Sequence, residues 1–111
     1  MLKPGKYEVL TFQTNAGESP NLDWLKSLDW KTEDRILARV ARMKNGQFGD
    51  CKALFSGLYE LRLFFGPGYR VYFGEYKGKV ILLLNGGDKS SQRKDINRAK
   101  EYWKIYLENN A

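Results

Sequence analysis

The sequence predicts an α+β fold: a twisted antiparallel sheet, in the order β-α-α-β-β-β-β-α, with the helices packed on one face. Apolar residues recur at helical spacing near the middle and the end of the chain. Between these stretches nine of the eleven glycines fall from Gly46 to Gly87 and cut the chain into short β-like runs. The joints Gly66-Pro67-Gly68 and Lys77-Gly78 have hairpin lengths, which makes neighbouring strands antiparallel. The 111 residues suit one domain, 1–111, and 42% hydrophobic and 14% aromatic residues are enough for a core.

Taken in order, Gly5 to Gln13 carries β-branched and aromatic residues without a breaker and reads as a strand. Ser19 followed by Pro20 supplies an N-cap and a first helical residue, and Leu22, Leu25 and Leu28 extend a short helix over 20–29. Ile36, Leu37, Val40, Ala41 and Lys44 mark an amphipathic helix over 31–45, stopped by Asn45-Gly46. Four strands follow, Cys51–Phe55, Leu58–Phe65, Tyr69–Tyr76 and Lys79–Asn85. The final segment, Ser91 to Asn109, returns to helical spacing through Ile96, Ala99, Trp103 and Tyr106 or Leu107.

Composition removes several kinds of chemistry. One cysteine excludes an intramolecular disulfide and a cysteine-based zinc site, and the absence of histidine removes the commonest metal ligand and general base. No metal and no cofactor are expected. The longest aliphatic run, Val80 to Leu84, is too short to span a bilayer, and the stretch Met1 to Lys6 lacks the apolar core of a signal peptide. A soluble cytoplasmic protein with no membrane partner is expected. The net charge is +6, and residues 51–111 carry 11 Lys+Arg against 6 Asp+Glu. A basic half favours a polyanionic partner, although general solubility explains a charge of this size equally well.

Strand alternation then sorts the side chains. With Gly66-Pro67-Gly68 as the loop, Arg62 faces Tyr72 and Phe64 faces Arg70. With a two-residue turn at Lys77-Gly78, Asn85 faces Arg70. Tyr59, Leu61, Leu63, Phe65, Tyr69, Val71 and Phe73 share the face toward the helices. Arg62, Arg70, Tyr72 and Asn85 gather on a helix-free face with Lys89 at its rim. Two arginines diagonal to each other on one sheet face repel unless something anionic lies between them, and phosphate is the natural candidate. The alternative is that Arg62 pairs with Glu60 or Glu75 and solvates an open sheet face.

The blocks Gly57-Leu58-Tyr59-Glu60-Leu61-Arg62, Gly66-Pro67-Gly68-Tyr69-Arg70-Val71-Tyr72-Phe73 and Leu82 to Gln92, with Asp95-Ile96, resemble the HigB-like addiction-module killer proteins of the RelE/ParE toxin superfamily. Trp24-Leu25, the 36–43 helix and Asn45 to Asp50 also fit, so the likeness covers nearly the whole chain. It implies the toxin of a type II toxin–antitoxin pair, neutralised by a cognate antitoxin protein that often carries a helix-turn-helix domain. RelE-type relatives cut mRNA on the ribosome without a metal, whereas ParE-type relatives share the fold and poison DNA gyrase. An inactive, antitoxin-binding relative is a third reading. By motif, Arg62 and Arg70 match positions that hold the scissile phosphate, and Lys89 matches a lysine after the last strand. The chain departs from the pattern in lacking histidine and in ending on a long helix instead of a short tail bearing a tyrosine.

Metal-independent cleavage has the 2′-hydroxyl attack its own phosphate, and preorganised arginines suit the charge that gathers on the phosphoryl oxygens. A tyrosine or lysine among cations is driven toward the form that exchanges protons near neutrality. Arg62, Arg70, Tyr72 and Lys89 are therefore the expected catalytic residues. Phe64, Asn85, Gln92 and Arg93 are the expected RNA contacts, with Gln92 and Asp95 also suited to capping the last helix. Trp24, Trp30 and Trp103 read as core or antitoxin contacts, and Cys51 as a small buried residue.

Overall fold

Five strands form one sheet in the order β1-β5-β4-β3-β2 in a computed structural model that describes residues 2–111. Along the chain the elements are β1 (Glu8–Thr11), α1 (Pro20–Lys26), α2 (Trp30–Arg42), β2 (Cys51–Phe55), β3 (Leu58–Leu63), β4 (Tyr69–Tyr76), β5 (Val80–Gly87) and α3 (Gln92–Asn109). Met1, part of the stretch read for a signal peptide, lies outside the described residues. No helix among the described residues is long and apolar enough to cross a membrane.

The element order agrees with the sequence expectation, but the sheet is mixed. β2 to β5 form the antiparallel meander, while β1 pairs with β5 in parallel, Glu8 beside Val80 and Thr11 beside Leu83. A parallel partner requires a crossover, and the two helices between β1 and β2 provide the length. Ser19 Oγ accepts from the Leu22 amide with Pro20 in the first turn, so α1 starts where the residues dictate. Asp29 caps α2 by accepting from the Thr32 amide. The periodic stretch closes in a single 3-10 turn, Met43–Asn45, and Gly46 leaves it at φ 74°. A side chain there would be strained and would strike the backbone of Pro4 and Gly5.

Helices cover both faces of the sheet, which corrects the expectation of a helix-free face. On one side Leu25, Ile36, Val40 and Met43 of the first two helices and the turn after them pack on Tyr59, Leu61, Leu63, Val71, Phe73 and Leu83. On the other, Ala99 and Trp103 of α3 pack on Phe12, Leu58, Tyr72, Leu82 and Leu84. Two glycines admit tryptophans at close range on opposite faces. A Cβ at Gly74 would collide with the Trp103 ring, and one at Gly86 would collide with Trp24. Trp30 is instead 68% exposed.

Cys51 is half-buried and its thiol donates to the Phe48 carbonyl at 3.2 Å. Burial first, and Asp50 against the opposing pull of Arg39, push the thiol up to about 12. The nucleophilic thiolate is therefore scarce in the folded protein. Iodoacetamide at mildly alkaline pH is expected to label folded protein far more slowly than urea-unfolded protein, as read by intact mass. Equal rates would show that Cys51 is not held in this environment.

Candidate functional site

The register places side chains of β3, β4 and β5 in two rows on the α3 face. The inner row is Glu60, Tyr72 and Asn85; the outer row, toward the β3–β4 loop, is Arg62, Arg70 and Gly87. The expected pairings of Arg62 with Tyr72, Phe64 with Arg70, and Asn85 with Arg70 are thus corrected. β3 ends at Leu63, so the loop spans 64–68, and Arg62 lies directly opposite Arg70. Along β4 and β5 the register shifts between Tyr72 and Phe73, which leaves Asn85 beside Tyr72. The two-residue shift in the first hairpin preserves the faces, since side chains alternate with period two.

The inner row is closed off. Tyr72 is wholly buried, Glu60 is 1% exposed and Asn85 5%, all beneath the first turns of α3. Gln92 Nε2 donates to Glu60 Oε2 at 2.9 Å, and Asn85 Nδ2 donates to the Asp95 carbonyl at 3.0 Å. Gln92 and Asn85 therefore fasten α3 to the sheet. Burial, and then the Glu60 carboxylate, push the Tyr72 phenol far above its ordinary value, with Arg70 opposing. Glu60 acts through its charge, because the Tyr72 hydroxyl has no partner within hydrogen-bond geometry. Tyr72 is thus set beneath α3, away from the accessible edge, with its phenol held protonated near neutrality.

The outer row lies nearer the surface, with the Arg62 side chain about one-third exposed and that of Arg70 only 11%, and each arginine has a carboxylate. Arg62 donates from Nε and Nη2 to the two oxygens of Asp50 at 3.1 and 3.0 Å, a bidentate pair about one-third exposed on either side. Asp50 takes the place expected of Glu60 or Glu75, because β2 pairs with β3 and brings the residue before Cys51 alongside Arg62. The hydrogen bonds to Asp50 hold the Arg62 guanidinium protonated even more firmly than usual. Arg70 donates from Nη1 to the Gly68 carbonyl at 2.7 Å, and its Nε lies 3.5 Å from Glu60 Oε2, an ion pair without a hydrogen bond.

Lys89 comes to the same edge. Its amide donates to the Pro67 carbonyl at 3.4 Å, and a Cβ on Gly68 would lie 3.2 Å from Arg70 Nη1 and 3.5 Å from Lys89 Cβ. The turn that presents Lys89 is capped by Asp88, whose carboxylate accepts from the Ser90 amide at 2.8 Å. Hydrogen bonds from Ser90 hold that carboxyl below its ordinary value, so the cap is complete near neutrality and weakens only as acid protonates Asp88. Phe64 is 78% exposed with the Arg62 guanidinium carbon 5.8 Å from its ring centroid, and Arg93 is exposed at the start of α3. Among the expected site residues, then, Arg62, Phe64 and Lys89 lie toward one accessible rim with Arg70 mostly buried beside them, Arg93 is exposed on α3, and Tyr72 and Asn85 lie beneath that helix. Among the described residues, no group of three His, Cys, Asp or Glu is placed to hold a metal ion.

Residues 23–104, which contain both rows, Lys89 and Arg93, match the family described as phage-derived protein Gp49-like (DUF891). The chain belongs to that family, a class of toxin–antitoxin toxins, and an antitoxin partner is implied in general. The chain is also similar to an uncharacterized protein of Haemophilus influenzae, 46% identical over 78 residues that cover 69% of this chain and 79% of that protein.

Proposed function

We propose that this toxin is a HigB-like member of the RelE/ParE superfamily and acts on RNA, cutting mRNA on the ribosome without a metal. The observation that supports the reading is that Arg70 Nη1 and Lys89 Cβ both lie close to Gly68, with Arg62 opposite Arg70 on the adjacent strand. A phosphodiester entering this rim takes over guanidinium contacts now made by Asp50 and the Gly68 carbonyl. The 2′-hydroxyl gives up its proton as its oxygen bonds to phosphorus, the bond from phosphorus to the 5′-oxygen breaks, and a proton passes to that oxygen, so the products are a 2′,3′-cyclic phosphate and a 5′-hydroxyl. Arg62, Arg70 and Lys89 stabilise the charge on the phosphoryl oxygens. Phe64 offers a ring for an unpaired base and Arg93 a further phosphate contact. Alignment of the reacting atoms comes in part from the ribosome, which reduces the acid–base work asked of the protein.

The carboxylate partners of both arginines favour a second reading, a gyrase inhibitor that binds without chemistry. Mapping transcript 5′ ends after induction separates the two. New 5′-hydroxyl ends inside reading frames are expected. Intact messages, together with trapped gyrase–DNA cleavage complexes in a purified assay, would replace the first reading with the second.

A further inference from the structure

The end of α3 remote from the rim borders a different surface. Phe55, Leu58, Trp103 and Leu107 wall an apolar groove of about 540 Å³, with Lys100 and Lys104 along it. Its floor is rigid, because Leu58 is fully buried and Trp103 is anchored by a 3.0 Å hydrogen bond from Nε1 to the Ser56 carbonyl. Its margins are not covered: Phe55 is 58% exposed and Leu107 38%. β2 is an edge strand, and the irregularity between Ala53 and Phe55 ends its regular pairing beside the groove. The Lys100 ammonium stands 5.1 Å from the Phe55 ring centroid, so cation and apolar wall are presented together.

We infer that this groove is where the antitoxin docks, through an acidic amphipathic segment. Apolar side chains of that segment seat between Phe55 and Leu107, and its carboxylates meet Lys100 and Lys104. The inference rests on membership of the toxin family and not on the RNA reading. Charge complementarity selects the occupant. A second copy of this chain carries the same net charge of +6 and would bring lysine to lysine. Glu108 on the border sets the register of the segment by repelling a carboxylate placed beside it. Nucleic-acid interfaces are polar and strongly cationic, which matches the rim better than an apolar trough. Since an 18-residue helix is about 27 Å long, an antitoxin seated here leaves the rim to be blocked by the rest of its chain or by nothing at all.

The test uses the full-length toxin and the protein encoded by the adjoining gene, both whole and as overlapping peptides. Phe55→Ser with Leu107→Ser, and separately Lys100→Glu with Lys104→Glu, are titrated against them by calorimetry. Each pair is expected to weaken binding by at least about tenfold, with the lysine effect shrinking as salt rises. Leu22→Ser, at an exposed apolar position on α1, is expected to leave affinity unchanged. In cells both paired variants should still arrest growth yet no longer be rescued by the adjoining gene, a result that does not depend on whether the target is RNA. Unchanged affinity in both pairs overturns the inference. So does a wild-type dimer that the Phe55→Ser and Leu107→Ser changes dissolve while the adjoining protein still binds.

Discussion

Replacing Arg70 with alanine is expected to abolish growth arrest and to lower message cleavage by about 10²–10³-fold, the usual effect of losing one donor to a developing oxyanion. The substitution also affects stability. Glu60 is 1% exposed, and without Arg70 it is left as a buried carboxylate with Gln92 as its hydrogen-bond partner. Breaking such a pair costs about 3–5 kcal/mol, a large share of the roughly 5–15 kcal/mol that holds a typical domain together. Loss of toxicity in Arg70→Ala alone would therefore not separate chemistry from folding. The double variant Glu60→Gln with Arg70→Met does, because it removes both charges while keeping volume. It is expected to unfold in urea at or above the wild-type midpoint and still to leave messages uncut in a translation extract. Glu60→Gln alone retains the guanidinium and is expected to cut. Cleavage by the double variant would end the proposal that Arg70 holds the phosphate.

Trp103→Ala is expected to be the most damaging change away from the rim. The ring is 6% exposed, stacks on Tyr106 with centroids 5.9 Å apart, and lies against the Cα of Gly74 in the middle of β4. Removing it leaves a cavity between helix and sheet that no neighbouring side chain on Gly74 can fill. The expected cost is about 3–5 kcal/mol, read as a lower urea midpoint at unchanged slope. Trp103→Phe keeps most of the ring and loses the hydrogen bond to Ser56, which is expected to cost nearer 1 kcal/mol. Amide hydrogen exchange should rise first along α3 and at the strands it covers. Uniform acceleration over α2 as well would mean that the two layers melt as one unit.

The misreading of the sheet's second face has a physical cause. Side chains at 60, 62, 70, 72 and 85 do share a face, since alternation depends only on local backbone geometry. Whether that face meets water depends on where a distant helix lies. The sequence carried a signal of double coverage in Val80 to Leu84, five successive aliphatic residues that are buried or partly buried with no exposed alternate. A strand open to solvent on one side alternates, whereas one covered on both does not. Gly74 was a second signal, a glycine inside a strand that marks close approach of another group. The parallel pairing of β1 had no local signal at all.

Local chemistry was enough to determine the order of the elements, the helix start at Ser19-Pro20, the meander, and which residues of β3, β4 and β5 face the same way. These follow from dihedral preference, capping and a period of two, all of which act within a few residues. Tertiary structure alone decided that α3 closes over Tyr72 and Asn85, and that Asp50 takes Arg62 while Glu60 sits beside Arg70. Each of those outcomes depends on how far apart in space distant segments come to rest, and the balance of burial against desolvation of charge is settled only when they do.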